Sequence, residues 1–221
     1  KQEVETLGST ALVVPTDVTD EAACKNLIEQ TVGEWDRLDV LICNAGRTMW
    51  TLLEDITDTS IFEDLMRLNY LGAAWCTYYA LPHLTRSRGR IAAISSVTGL
   101  TGVPTRTAYA ASKHAMFGFF DSLRVELRGS GVSVTMVAPD FVLSEIHRRA
   151  YGSDGEPLGD SPLQEGKVMT AEKCARLTVK AIEKRERLLI PSMRGRVGRW
   201  IRMFSPALVD RIAAKAIRDK K

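Results

Sequence analysis

A tyrosine and a lysine four residues apart are the side chains in this sequence whose spacing most directly suggests acid–base chemistry. Tyr109 and Lys113 belong to the run Tyr-Ala-Ala-Ser-Lys. Residues at i and i+4 share one helix face, with Cβ atoms about 5–6 Å apart. A neighbouring ammonium favours the phenolate and is expected to lower the pKa of Tyr109 from its ordinary value of about 10. Such a phenol can give or take a proton near neutral pH.

Ser96 lies upstream of this pair, at the end of a predicted strand, and its hydroxyl can hold a substrate oxygen against the phenol. Adjacent side chains of a strand point to opposite faces, so Ser96 and its neighbour Ser95 cannot both face the tyrosine; Ser95 is kept as the second candidate. A serine, a tyrosine and a lysine arranged in this way suit the interconversion of a carbonyl and an alcohol. No side chain supplies a hydride, so a nicotinamide is implied. The Tyr-x-x-x-Lys spacing alone also fits a solvated lysine beside a tyrosine at the edge of the core.

Predicted strands alternate with predicted helices along the chain. Apolar runs predict strands at 11–15, 38–43, 90–95, 132–138 and 188–191, and helical periodicity predicts helices at 19–33, 61–84, 107–128, 170–187, 197–204 and 206–218. Near-continuous apolar runs are typical of strands that are covered on both faces. The alternation therefore predicts an α/β fold of Rossmann type, a doubly wound parallel sheet in a three-layer αβα arrangement.

Small and polar residues follow the predicted strands, where ligands bind in doubly wound sheets. They are Asp17 after the first strand, Asn44-Ala45-Gly46 after the second, Ser95 and Ser96 at the third, and residues 139–144 after the fourth. Each of these positions by itself fits ordinary loop chemistry, because Asn, Gly, Ser and Asp are also the commonest turn residues.

Together the motifs resemble the short-chain dehydrogenase/reductase family over essentially the whole chain to about Ser144. The resemblance rests on Asp17, Asn44-Ala45-Gly46, Asn69, Ser96, Tyr109-x-x-x-Lys113 and Pro139. It implies an oxidoreductase that moves a hydride between NAD(P) and a substrate carbonyl carbon. NADP is preferred to NAD on the resemblance alone.

The resemblance also implies a role for each matching residue. Tyr109 would be the catalytic acid/base, Ser96 would orient the carbonyl, and Lys113 would lower the tyrosine pKa and hold the nicotinamide ribose. Asn69 would hold a water that relays protons to Lys113. The implied cofactor-binding residues are Asp17 and Val18 at the adenine, Asn44, Ala45 and Gly46 behind the cofactor, Tyr109 and Lys113, and Pro139, Val142 and Ser144 near the nicotinamide.

The glycine motif that opens this family, Thr-Gly-x-x-x-Gly-x-Gly, does not occur in the 221 residues. Its glycines allow the backbone to approach a pyrophosphate at a helix N-terminus. We therefore expect an N-terminal βαβ segment of ~30 residues or more to be missing, with a truncated form without cofactor affinity as the alternative. Asp140 is a smaller departure, since the family usually has glycine after the proline.

We expect one N-terminally incomplete domain over residues 1–191, followed by a basic amphipathic extension over 192–221. Residues 144–169 are rich in glycine and proline and occupy the substrate-loop position of the family. Their apolar side chains favour an apolar carbonyl or alcohol, unless the loop only packs against itself. They are Ile146, Tyr151, Leu158, Leu163 and Met169. His147 in the same loop is expected at the surface.

The basic extension differs in charge from the rest of the chain. From Lys184 onward, 12 Lys or Arg stand against three acids, a local charge of +9, whereas the whole chain carries +3. A basic amphipathic helix can lie on an anionic membrane, cover a subunit interface or pack on its own domain, and we favour packing. The alternative function is a non-catalytic member of the fold that binds a partner or membrane surface through this extension. No nucleic-acid module accompanies the charge.

Composition excludes several other classes. With 45% hydrophobic and 26% charged residues the chain is not a disordered protein, and no apolar run reaches the roughly 18 residues of a membrane span. Scattered cysteines and histidines predict reduced thiols, no metal site and a cytoplasmic protein, with membrane association through the tail left open. The resemblance implies a homodimer or homotetramer built on the two long helices. Their outer apolar positions are predicted at Tyr78, Tyr79, Phe117 and Phe120.

Overall fold

The computed structural model describes residues 1–161 and 168–218, so Leu163 lies outside the described residues. The α-helices are α1 (Gln2–Thr6), α2 (Glu21–Trp35), α3 (Ser60–Met66), α4 (Gly72–Ser87), α5 (Thr107–Glu126), α6 (Ala171–Glu183), α7 (Met193–Phe204) and α8 (Pro206–Arg218). The strands are β1 (Val40–Cys43), β2 (Arg90–Ile94), β3 (Ser133–Val137), β4 (Val142–Leu143), β5 (Met169–Thr170) and β6 (Leu188–Leu189). Short 3₁₀ turns span Leu53–Asp55 and Val97–Gly99.

Four of these strands form a parallel sheet in the order β1-β2-β3-β6, and β4 pairs with β5 in a separate small parallel ladder. In the larger sheet Ala92 lies opposite Ile42 on one side and opposite Thr135 on the other. At the far edge, Met136 lies opposite Leu188. The parallel pairing predicted from the apolar runs and the intervening helices is confirmed.

Both faces of this sheet are covered, because alternate strand residues point to opposite sides. Ile91 and Met136 belong to the main core, which α2, α4 and α5 complete with residues such as Phe120. Val137 belongs to a smaller cluster with Ala181 of α6 on the opposite face. The sheet therefore lies between two helical layers, as the three-layer αβα prediction requires.

The predicted strand at 11–15 is wrong. In the structure this segment joins no strand ladder, and Leu12 and Val13 are 38% and 61% exposed. A strand exists only where a neighbour accepts and donates its backbone hydrogen bonds, and no described strand lies beside this segment. β1 is accordingly an edge strand of the described sheet, with Val40 and Ile42 more than a third exposed.

Two predicted helices differ in detail. Asp20, rather than Thr19, caps α2, because its side chain accepts a hydrogen bond from Ala22 N. The predicted helix at 61–84 is continuous in direction but contains a π-helical turn, Arg67–Leu71, between α3 and α4. Such turns often occur at functional sites, and this one contains Asn69.

Some predicted surface positions are buried. Phe120 is 0% exposed, so it belongs to the core and not to an outer helix face, whereas Tyr78 is 70% exposed. His147, expected at the surface, is only 7% exposed. In the loop, Tyr151 packs against the core cluster of Met49, and Leu158 is 38% exposed.

The C-terminal helices α7 and α8 pack against each other and expose apolar side chains. Trp200 and Phe204 of α7 are 61% and 80% exposed, so packing on the domain accounts for only part of their apolar surface. No described helix has the length and apolar character needed to cross a bilayer. In the described ranges no three His, Cys, Asp or Glu side chains form a potential metal site, and the cysteines are free thiols.

Candidate active site

A cavity of about 720 Å³ lies where β1, β2 and β3 end. Asn44, Ser96 and Pro139, which follow these three strands, all contribute to its lining. Eight of the predicted site residues line this cavity: Asn44, Gly46, Ser96, Tyr109, Lys113, Pro139, Val142 and Ser144. The strand-end location expected from a doubly wound sheet is therefore where these side chains converge.

Helix α5 places the tyrosine and the lysine side by side. Tyr109 and Lys113 are 8% and 3% exposed, and the lysine Nζ lies 5.8 Å from the centre of the phenol ring. Lys113 Nζ donates a hydrogen bond of 2.9 Å to the backbone oxygen of Ile94 at the end of β2. This bond anchors the ammonium at the strand end, one helical turn from the phenol.

The two neighbouring serines have different partners. Ser96 Oγ accepts a hydrogen bond from Thr98 N at 3.1 Å and donates to Pro139 O at 3.4 Å, and this hydroxyl lowers the pKa of the Tyr109 phenol. Ser95 Oγ donates to the backbone oxygen of Lys113 at 3.3 Å and so fastens α5 to β2. Of these two hydroxyls, it is that of Ser96 that influences the phenol.

The pKa of Tyr109 differs from the expectation. Burial raises the pKa of the phenol, and the neighbouring Ser96 hydroxyl and the charge of Arg106 oppose only part of that rise. The expectation that Lys113 sets a lowered tyrosine pKa is therefore wrong for this structure. Burial lowers the pKa of Lys113 to about 8, so the side chain is still mainly an ammonium at pH 7. The phenol retains its proton at neutral pH and is suited to donate it.

Asn69 and Gly46 form a tight contact beside the lysine. The fully buried Asn69 accepts a 2.9 Å hydrogen bond from Arg47 N, and its Nδ2 donates to Arg47 O and Ser112 Oγ at the same distance. A Cβ atom on Gly46 would lie 2.8 Å from Asn69 Oδ1 and 3.5 Å from Lys113 Nζ. Only glycine allows the backbone to come this close. The side chain of Asn69 thus supports the wall of the cavity from behind, with its amide already committed to protein partners.

Three of the predicted cofactor residues are not among the described residues that line the cavity: Asp17, Val18 and Ala45. Asp17 is exposed and accepts hydrogen bonds from the backbone and side chain of Thr19. Val18 packs on α4, where a Cβ on Gly72 would lie 2.7 Å from its backbone oxygen. The structure therefore does not bring the proposed adenine-binding positions to the cavity that contains Tyr109.

Sequence reasoning missed a group of cavity residues on the side of Tyr109 that includes Arg106. Arg106 is 4% exposed, donates a 2.7 Å hydrogen bond to Met49 O and lies 3.8 Å above the ring of Trp50. His147 packs against Trp50, and burial together with the Arg106 charge lowers its pKa to about 4. The available signal was the position of Arg106, three residues before Tyr109 and directly before the first residue of α5.

Asp140, the departure from the family's glycine, has a defined partner. Arg194 Nε donates a hydrogen bond of 2.7 Å to Asp140 Oδ2, and Ser192 Oγ donates to the same oxygen at 3.3 Å. The carboxylate thus ties the start of α7 to the loop after β3 and neutralises an arginine at the rim of the cavity.

Comparison with known proteins agrees with this architecture. A family model described as short chain dehydrogenase matches residues 1–153. A dehydrogenase/reductase SDR family protein 7-like from Dictyostelium discoideum is 35% identical over 205 residues, which cover 92% of this chain and 63% of that protein. An 11-beta-hydroxysteroid dehydrogenase A from Sesamum indicum is 33% identical over 210 residues, covering 92% of this chain and 60% of that protein.

Among solved structures, ElxO with NADP bound is 38% identical, with a TM-score of 0.54 over 57% of this chain and 51% of that chain. The family model and the relatives show that the chain belongs to the short-chain dehydrogenase family. It spans about 60% of the length of the curated relatives that it matches.

Proposed function

We propose that this chain belongs to an NAD(P)-dependent oxidoreductase that interconverts a carbonyl and an alcohol, with Tyr109 as the acid/base. The observation that carries the proposal is the convergence of Ser96, Tyr109 and Lys113 in one cavity at the strand ends. Tyr109 and Lys113 are both less than a tenth exposed. Buried titratable groups with shifted pKa values in a cleft are typical of catalytic sites.

In the reductive direction, Ser96 would hold the substrate oxygen and Tyr109 would give it a proton. A raised pKa favours this role, because the phenol stays protonated until the oxygen becomes basic. Lys113, fixed by Ile94, would then place its ammonium near the phenolate that remains. The reverse direction uses the same groups with the phenolate as base.

A nicotinamide supplies the hydride that no side chain can provide. The described residues fit its ribose end, because Lys113 and Asn44 both line the cavity. We assign NADP in preference to NAD, because the 38% identical ElxO was solved with NADP bound. The roles of Asp17 and Val18 at the adenine and of Ala45 behind the cofactor remain part of this proposal on family resemblance.

The apolar side of the cavity supports an apolar carbonyl or alcohol as substrate. Trp50, Phe141, Val142 and Ile146 line it, and the relative from Sesamum indicum carries the name of a hydroxysteroid dehydrogenase. We also propose a cytoplasmic homodimer or homotetramer. The 70% exposure of Tyr78 on α4 supports a helix-mediated contact, and sedimentation that shows only monomer at micromolar concentration would contradict it.

Titration of NADPH fluorescence tests the proposal directly. When the expected glycine-rich N-terminal segment is included, the protein should bind NADPH saturably and more tightly than NADH, and it should consume NADPH in the presence of a member of a ketone and aldehyde panel. Binding without any turnover across a broad panel would count against the reductase, and the panel would identify the substrate if turnover occurs.

A second candidate function follows from the exposed apolar residues of α7. Trp200, Met203 and Phe204 are each more than 60% exposed and stand among arginines. A non-catalytic member of the family would bind a partner or an anionic membrane surface through this helix. It predicts no NADPH binding in the titration, together with co-sedimentation on vesicles that contain phosphatidylglycerol.

A further inference from the structure

Arg106 is a buried cation at the side of the cavity where the substrate would lie. Its guanidinium is held by the backbone oxygen of Met49 and the hydroxyl of Thr48, and it lies over the ring of Trp50. Thr48, Trp50 and Arg106 all line the same cavity as Tyr109. The charge is therefore fixed in position, with two neutral oxygen partners and an aromatic face around it.

No carboxylate forms an ion pair with this guanidinium within residues 1–161 and 168–218. Arg194, another arginine at the cavity, is paired with Asp140 at 2.7 Å and is 70% exposed in its side chain. Burial without a counter-charge is costly for a cation, and it lowers the pKa of Arg106 to about 10. A neutral side chain could donate the same hydrogen bonds to Thr48 and Met49 without the cost of burying a charge. A charged donor at this position therefore indicates an anionic ligand.

The position of Arg106 relative to Tyr109 defines what that ligand would be. Arg106 directly precedes α5 and Tyr109 lies in its first turn, both side chains line the same cavity, and the charge of Arg106 acts on the phenol. An anion at Arg106 and a carbonyl at Tyr109 can therefore belong to one small molecule. Trp50 and Phe141, stacked with ring centres 6.3 Å apart, provide an apolar wall beside them.

We propose that Arg106 binds a carboxylate of the substrate, so that the reaction assigned to Tyr109 acts on keto acids or hydroxy acids with an apolar body. This inference rests on the proposed function. A guanidinium binds a carboxylate through two parallel hydrogen bonds. The carboxylate would balance the buried charge, and Trp50 and Phe141 would contact the apolar body. Arg106 is thus assigned as the specificity-determining residue of the site.

The test compares 3-benzoylpropanoate with its methyl ester, which share a ketone and a phenyl ring and differ in charge. Isothermal titration of the protein with each compound is expected to show the acid binding about tenfold more tightly than the ester, the effect of one charge-assisted contact. Arg106→Gln should remove this preference, and Arg106→Lys, which keeps the charge without the planar fork, should keep part of it. Arg128→Gln, at an exposed position outside the residues that line the cavity, is the control and should keep all of it.

Equal binding of the acid and the ester by the unaltered protein would overturn the inference, as would an acid preference that survives in a folded Arg106→Gln. Thermal unfolding establishes whether that variant is folded, and the comparison in the unaltered protein decides the matter if it is not. If the preference for the acid disappears when NADPH is present, Arg106 binds an anionic group of the cofactor, and the inference is again overturned. Because the titration requires no turnover, failure of the acid preference is distinguishable from failure of the proposed function, which shows as absent NADPH binding.

Discussion

Polar side chains are usually exposed and apolar ones buried, and two regions depart from this in opposite ways. One is the group of Gly46, Asn69 and Lys113, here called the cavity floor, and the other is the C-terminal helix α7. On the floor, Asn69 and Lys113 are polar or charged and at most 3% exposed, and each is tied to backbone oxygens. On α7, Trp200 and Phe204 are aromatic and at least 61% exposed. Both arrangements cost free energy relative to the ordinary distribution of polar and apolar groups.

The difference between the two regions lies in how many partners hold each side chain. On the floor the packing is close: a Cβ on Gly46 would lie 2.8 Å from Asn69 Oδ1 and 3.5 Å from Lys113 Nζ, and Asn69 makes three hydrogen bonds. The exposed rings of α7 face outward, where a substitution leaves the neighbouring packing intact. A buried polar group with fixed partners is thus the stronger indication of chemistry, whereas an exposed amphipathic face is compatible with several uses. The following predictions test this contrast, beginning with the largest effect.

Among substitutions at the cavity floor, Lys113→Met is expected to cause the largest loss of function. Turnover should fall roughly 100- to 10,000-fold, and NADPH affinity should fall as well, because one ammonium serves both the phenol and the proposed ribose site. Initial rates and NADPH fluorescence measure the two effects. Lys180→Met, at an exposed position of α6, is the control. An unchanged NADPH affinity would remove Lys113 from the cofactor site.

Gly46→Ala should lower the free energy of unfolding by about 1–3 kcal/mol. The new methyl would lie 2.8 Å from Asn69 Oδ1, which cannot withdraw without losing its hydrogen bond to Arg47. Urea denaturation measures the change. Gly118→Ala in α5, where a Cβ meets nothing within 4 Å, should be neutral or slightly stabilising. Equal effects of the two substitutions would contradict the close packing of the floor.

His147 makes stability depend on pH. Its pKa is lowered to about 4, so between about pH 6.5 and 4 the unfolded chain binds a proton that the folded chain refuses, and stability falls as pH falls through this window. His147→Phe should remove roughly 1–3 kcal/mol of that loss, measured by urea denaturation at pH 7 and pH 4.5. His114→Phe, at an exposed position of α5, should leave the loss unchanged. The same change in pH dependence for both variants would contradict the burial of His147.

Trp200→Ala is expected to have the smallest effect, with the free energy of unfolding changed by no more than about 0.5 kcal/mol. The ring is 61% exposed and gives up little packing. Phe120→Ala, which empties a fully buried core position, should lose about 3–5 kcal/mol in the same measurement. A large loss for Trp200 would show that α7 is bound to the domain more firmly than its exposure indicates.

The prediction from sequence succeeded for strands that have both an apolar side-chain pattern and a neighbouring strand to pair with. β2 and β3 are apolar runs flanked by helices, and the order Ser96, Tyr109, Lys113 places them at one sheet edge, where the structure brings them together. The 11–15 segment has the same apolar character but no described strand beside it. An apolar run alone does not contain the information that a pairing partner is present.

The polar half of the cavity was less predictable, because burial is a property of the tertiary structure. Arg106 and His147 are residue types usually found at the surface, and only the packing of Trp50 and Phe141 around them shows otherwise. The same limit explains the error in the Tyr109 pKa. Sequence spacing identified the neighbouring ammonium, but the dominant effect is burial of the phenol.

The central claim is that the phenol of Tyr109 transfers the proton at the reacting oxygen. Tyr109→Phe removes that hydroxyl and leaves the ring that packs in the core cluster with Ile61 and Leu65. We predict a loss of turnover of roughly 100- to 10,000-fold, with the NADPH dissociation constant unchanged within about twofold. Turnover equal to that of the unaltered protein would contradict the account.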